Sequence, residues 1–212
     1  TGTGRAAARA LLVCPPLWIL LFLLLAVFGS GPRVDLGMMS VSRPGLAAAL
    51  ARSWVYGSDA ARAAPFAAEA VQLASSLGDA AVLADALDAQ LASCWGPDDL
   101  AERLHITAQL ADAAAHVDDP RTRLDATLWR LTTALETLDV VGVQRQLAAL
   151  DVLAAETGSP VAAFFATSRR AMHALLVGDL ERARELMAAA DAVGFGEGGI
   201  PDAYAVQQSL LG

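Results

Sequence analysis

The chain repeats a punctuation pattern every forty residues. Gly78-Asp79, Asp118-Asp119, Gly158-Ser159 and Gly198-Gly199 stand at one interval, and each closes an Ala/Leu-rich stretch. Pro120, Pro160 and Pro201 follow almost in step. A second series of turns lies near Gly57-Ser58, Gly96-Pro97-Asp98-Asp99, Asp139 and Gly178-Asp179, offset from the first by half a period. A unit of this size cannot bury its apolar face alone, so neighbouring units must stack to make a core. The pattern predicts an all-α fold: a right-handed α-solenoid of antiparallel helix pairs, tetratricopeptide-like, about forty residues per unit. The pairs are placed at roughly 43–79, 80–119, 120–159 and 160–199, with a broken start on a fifth pair that implies truncation at the C-terminus.

Local signals agree with the period. Asp119-Pro120 and Ser159-Pro160 put a capping side chain before a proline that has no N–H to lose. Gly78 and Gly158 suit the left-handed position past a helix end. Asp99 with Glu102 reads as a capping box, and Pro65 predicts a helix start near Ala63–Ala64 or a kink. Leu100, Leu104, Ala108 and Ala111 form one apolar stripe at helical spacing, and Leu180, Ala183, Met187 and Ala190 form another. Trp54, Trp95, Trp129, Phe164 and Phe165 are the large residues available to fill gaps between units.

Composition narrows the function. Of 212 residues, 55% are hydrophobic but only 6% aromatic, which favours helix over sheet. The net charge of −8, with every basic side chain an arginine, argues against direct nucleic-acid binding by this segment. Cys14 and Cys94 suggest neither a disulfide framework nor a zinc site. His105, His116 and His173 are scattered, and no carboxylate cluster completes a ligand set, so no metal and no cofactor is expected. The glycine-rich Gly194–Gly199 stretch lacks dinucleotide-binding spacing and reads as a loop between helices. Nothing marks a nucleophile elbow or an enzyme. The candidate partner-binding residues are Trp95 and Trp129, as groove-lining aromatics, and the Arg169-Arg170 pair, as a contact for an acidic partner. Each is weighed against core packing or a solvated helix face. The expected occupant of the groove is a protein or peptide, or a small effector.

The N-terminus differs from the rest. Leu11 to Gly29 carries no charge over nineteen residues, and Arg5 and Arg9 precede it. Residues 1–30 are therefore read as a hydrophobic segment, residues 31–43 as a linker, and 44–212 as the repeat domain. Leu11–Phe28 is compatible with a membrane anchor, a cleavable signal, an apolar helix packed on the end of the stack, or a stretch foreign to the repeat architecture. Location is cytoplasmic on the family resemblance given next, and membrane-anchored if the run spans.

The segment from Gly178 to Ala190 resembles the second half of a tetratricopeptide repeat, with Gly178, Leu180, Ala183, Met187 and Ala190 at the family spacings. Over about residues 46–199, the string from Trp95 to Leu104 (WGPDDLAERL), Leu128–Leu131 and Ala171–Leu176 resemble the MalT-like helical region of actinobacterial LuxR-type and AAA-type ATPase transcriptional regulators. The resemblance implies a sensing or interaction module, with a nucleotide-binding module before it and a helix-turn-helix after it. The chain itself has no phosphate loop, no lysine to serve one and no basic recognition helix. Its hydrophobic start is also foreign to that pattern.

Overall fold

The computed structural model describes residues 33–35, 40–56, 60–94 and 96–194. Among these the protein is all-helical apart from one short strand pair. The helices are α1 (Arg43–Tyr56), α2 (Ala60–Leu77), α3 (Ala80–Ser93), α4 (Leu100–Ala115), α5 (Pro120–Glu136), α6 (Val140–Thr157), α7 (Pro160–Leu176) and α8 (Leu180–Gly194). Strands β1 (Arg33–Asp35) and β2 (Ser40–Ser42) pair antiparallel, Val34 opposite Val41, inside the stretch read as a linker. Leu11–Phe28, Trp95, the Gly57-Ser58 turn, all of the glycine-rich stretch beyond Gly194 and the expected fifth pair lie outside the described residues. No helix among the described residues is long and apolar enough to cross a membrane.

Each helix packs on the next in sequence, and α1 and α3 also pack directly on each other. The caps that start the helices recur at the repeat interval. Asp79 accepts from the Ala81 and Val82 amides at 3.0 and 3.2 Å. Asp119 accepts from the Thr122 amide at 2.8 Å and its hydroxyl at 2.7 Å, and Ser159 from the Ala162 amide at 3.4 Å. At the inner turns Asp139 accepts from the Gly142 amide at 2.9 Å and Asp179 from the Arg182 amide at 3.1 Å. Each bond satisfies an amide that helix geometry leaves without a partner.

The helix ends repeat as well. Gly78 and Gly158, at φ 67° and 60°, take the left-handed conformation expected of them. Past α7, the Gly178 amide donates to the Leu175 carbonyl and the Asp179 amide to the Ala174 carbonyl, with Gly178 at φ 82°. Past α5 the same two bonds run from Leu138 to Leu135 and from Asp139 to Ala134. There the left-handed position is held by Leu138, at φ 57° and 84% exposed, a leucine strained into a glycine's role.

Three expectations need correction. Helix α2 starts at Ala60 and runs through Pro65, so it does not begin near Ala63–Ala64; Pro65 sits on an exposed face. Asp99 does not cap α4. A short 3-10 turn, Pro97–Asp99, leads straight into that helix, and the Asp99 carboxylate turns back to accept from the Gly96 amide at 2.9 Å. The apolar stripe on α4 is also displaced. Leu104 and Ala108 are exposed, and the buried face is Arg103, Ile106, Thr107, Leu110, Ala113 and Ala114. The buried stripe therefore contains a charged residue that hydrophobic periodicity scores as outward-facing. On α8, Ala183 and Ala190 are buried while Leu180, the first residue of the helix, is 53% exposed.

The core changes character along the stack. Between α1, α2 and α3 it is built from alanines (Ala47, Ala48, Ala51, Ala67, Ala70 and Ala74, with Ala86 and Ala89), which bring the helix backbones close. From α3 to α5 it passes to Leu87, Leu91, Ile106 and Leu110, and from α5 to α7 to Leu124, Leu131, Leu147, Leu150 and Leu153. Phe164 and Ala190 close it at the α7–α8 pair. Each fully buried leucine or isoleucine stabilises by about 1.5–3 kcal/mol relative to exposure.

Candidate functional site

The odd-numbered helices carry a row of half-buried polar and aromatic side chains. From α1, Arg52 reaches α3, donating to Asp85 Oδ1 and Asp88 Oδ2, each at 2.8 Å. From α5, Trp129 Nε1–H donates to the other oxygen of the same carboxylate, Asp88 Oδ1, at 2.8 Å. Asp88 is thus shared by three helices, and its two oxygens hold α1 and α5 against α3. Beside it on α5, Arg121 Nε donates to both oxygens of Asp125, at 2.9 and 3.1 Å. Burial raises Asp125 above the ordinary carboxylate range, and its bonds to Arg121 offset part of that rise.

The sequence candidates among the described residues, Trp129, Arg169 and Arg170, make three different kinds of contact. Trp129 packs against the α3–α4–α5 core and carries the bond to Asp88, so it joins packing to the polar row. Arg170, on α7, is spent on Asp151 of α6: its Nε lies 2.8 and 2.9 Å from the two carboxylate oxygens, and its Nη2 also reaches that carboxylate. That bonding holds the Arg170 pKa above the ordinary arginine value. Arg169 points elsewhere. Its guanidinium carbon stands 5.4 Å from the centre of the Phe165 ring, and among the described residues it has no carboxylate partner. Burial lowers its pKa, and no neighbouring charge offsets this. Trp54 has the Arg62 guanidinium 5.1 Å over its ring, a contact within the first pair, α1 with α2.

The histidines stand apart. His105 and His116 are exposed, with His116 Nδ1 2.8 Å from the Asp112 carbonyl; His173 Nε2 meets Gln144 Nε2 at 3.0 Å. Among the described residues no three His, Cys, Asp or Glu groups could hold a metal. The Cys94 thiol is buried, and burial, ahead of the nearby Glu102 and Asp99 charges, pushes its pKa up to about 11. At neutral pH it is a protonated packing group and not a thiolate. A groove of about 530 Å³ opens between α4 and α5 at the outer turn, lined by His116, Asp118, Arg123, Thr127 and Arg130 among others. Arg123 there is paired across to Glu156 on α6 at 3.1 Å.

Sequence reasoning passed over Arg103. Its Nη1 donates to the carbonyls of Cys94 and Gly96, at 2.7 and 2.8 Å, while its Nε and Nη2 grip Glu136 at the end of α5 at 3.1 and 2.8 Å. Arg103 and Asp99 together lock the loop between α3 and α4, which gives much of the Gly96–Leu104 string a structural job. The available signal was an arginine inside an otherwise apolar helical period. Compared with known proteins, the chain matches no family model, no curated protein and no solved structure.

Proposed function

We propose that this chain is a non-catalytic interaction or effector-sensing module, a right-handed tetratricopeptide-like α-solenoid belonging to a larger regulator. Its odd-helix layer is the binding face, taking a peptide, a partner helix or a small effector. The observation that carries this reading is the linkage of α1, α3 and α5 through one carboxylate, Asp88. Among the described residues these three alternate helices lie side by side, while the even helices, and α5 with α7, make no comparable contacts. A stack tied more tightly along one layer bends toward it, and the inner layer of such a bend presents an extended concave surface. Polar groups along that layer supply orientation, and Trp129 and Phe165 supply contact area.

Amide chemical-shift mapping with a peptide selected on the immobilised protein tests this. Perturbations concentrated on α1, α3, α5 and α7 are expected; perturbations concentrated on α2, α4, α6 and α8 would refute the binding face. The regulator context rests on the resemblance of the Trp95–Leu104, Leu128–Leu131 and Ala171–Leu176 strings. It fails if the complete reading frame places neither a nucleotide-binding module nor a helix-turn-helix beside this segment.

A further inference from the structure

The buried and half-buried arginines of the stack show a consistent rule with one exception. Arg52 holds Asp85 and Asp88, Arg103 holds Glu136 and two carbonyls, and Arg170 holds Asp151. Arg169 is half-buried like Arg52, yet none of its five N–H donors meets an acceptor among the described residues. Its nitrogens are not sealed from solvent: the one fully buried side-chain N or O without a hydrogen-bond partner among the described residues is Thr107 Oγ1, so the Arg169 donors stay open to an incoming group, and the guanidinium stays charged. The geometry suits a waiting donor. The guanidinium lies over Phe165, which anchors the head group and leaves its planar fork of N–H groups unspent. Its place in the repeat is also telling. Arg169 stands one forty-residue period beyond Trp129, so it holds on α7 the repeat position that Trp129 holds on α5.

We propose that Arg169, seated on Phe165, is an oxyanion-binding subsite that receives a carboxylate or phosphate of the ligand in a bidentate grip. The chain is acidic overall, at −8, so an anionic ligand gains little from the general field and depends on a local fork of this kind. This deepens the proposed binding face and rests on it for its biological meaning, but the chemistry belongs to one side chain and can be read alone.

The experiment follows the Arg Nε–Hε resonances of the whole chain during titration with sodium acetate and with inorganic phosphate, against sodium chloride at matched ionic strength. The Arg169 signal is expected to move and saturate with at least one oxyanion, while those of the exposed Arg145 and Arg184 follow ionic strength only. A short glutamate-containing peptide forms a third arm. Saturation below the acetate range points to a polypeptide as the source of the anion, and saturation in the same range points to a small organic acid. In parallel, Arg169→Met keeps aliphatic cover on Phe165 and removes the guanidinium. It is expected to abolish any Tm increase that acetate or phosphate gives the unmodified protein. A Tm increase with acetate or phosphate that survives Arg169→Met undiminished, or an Arg169 resonance that behaves like those of Arg145 and Arg184, would overturn the subsite. Neither result depends on where peptides dock, so the binding face stands or falls separately.

Discussion

Replacing Arg103 by methionine should unfasten the α3–α4 loop from α5. The arginine side chain is 4% exposed, and it makes four hydrogen bonds. Two go to main-chain carbonyls, Cys94 and Gly96, and methionine can offer them nothing. A buried acceptor left without a donor costs about 1–3 kcal/mol, and the Gly96 carbonyl is partly reachable by water, so the two together cost about 2–4 kcal/mol. Loss of the grip on Glu136 adds little, because that carboxylate is 31% exposed and is rehydrated, while removal of the buried charge returns some stability. The net expectation is a loss of about 2–4 kcal/mol. The assay is urea unfolding followed by far-ultraviolet circular dichroism, with hydrogen exchange reporting locally on residues 96–99. Glu136→Gln supplies the contrast: it removes the counter-ion of a buried guanidinium and so costs stability, but it keeps both carbonyl bonds and should leave the loop protected. The Arg103→Met effect should not fade in high salt, since it rests on hydrogen bonds to main-chain carbonyls and not on the half-exposed ion pair. A loss below about 1 kcal/mol for Arg103→Met, or lost exchange protection at residues 96–99 in Glu136→Gln, would show that the carbonyls are not what the guanidinium secures.

Other substitutions test other links of the argument. Leu138→Gly should stabilise by about 0.5–1 kcal/mol, since the residue is strained at φ 57° and exposed; a lower urea midpoint would contradict this. Trp129→Ala should cost about 2–4 kcal/mol, toward the low side of large-to-small core changes because the ring is half-buried; a loss under about 1 kcal/mol would show that the ring does not pack on the α3–α4–α5 core. Trp129→Phe keeps the packing and should lose mainly the bond to Asp88, about 1.5–3 kcal/mol. Asp119→Ala should cost about 1 kcal/mol at pH 7 as a lost helix cap. Its bonds to the Thr122 hydroxyl and amide hold the Asp119 pKa below the ordinary carboxylate value in the folded protein. The cap's contribution is therefore complete above the unfolded value of about 3.9 and lost as pH falls through the lower folded value, so the two unfolding curves should converge in acid.

Much of the helical framework was legible along the chain because turns are local chemistry. Asp79, Asp119 and Ser159 each cap a helix with their own side chain, and Gly78, Gly158 and Gly178 each take a backbone conformation that suits glycine. Faces were less legible. The stripe through Leu104 and Ala108 looked inward by hydropathy, yet the buried face is set by Arg103, whose partner Glu136 lies 33 residues away. The candidate site was legible in its parts but not in its arrangement. Arg169 and Arg170 are neighbours in sequence, and only their surroundings separate a paired arginine from one with no carboxylate.

Sequence alone determined the forty-residue period, the all-helical character and nearly every helix boundary, because capping, left-handed glycines and N-terminal prolines act within a few residues of themselves. Tertiary structure decided which charges are spent. Asp88 binds α1 and α5, Arg103 binds a loop to a distant helix end, and Asp151 satisfies one arginine of an adjacent pair and leaves the other without a carboxylate. Hydrogen-bonding partners of this kind are chosen by proximity across helices. A one-dimensional pattern records the residue types available for those bonds, and only the packed stack brings donor and acceptor within three ångströms.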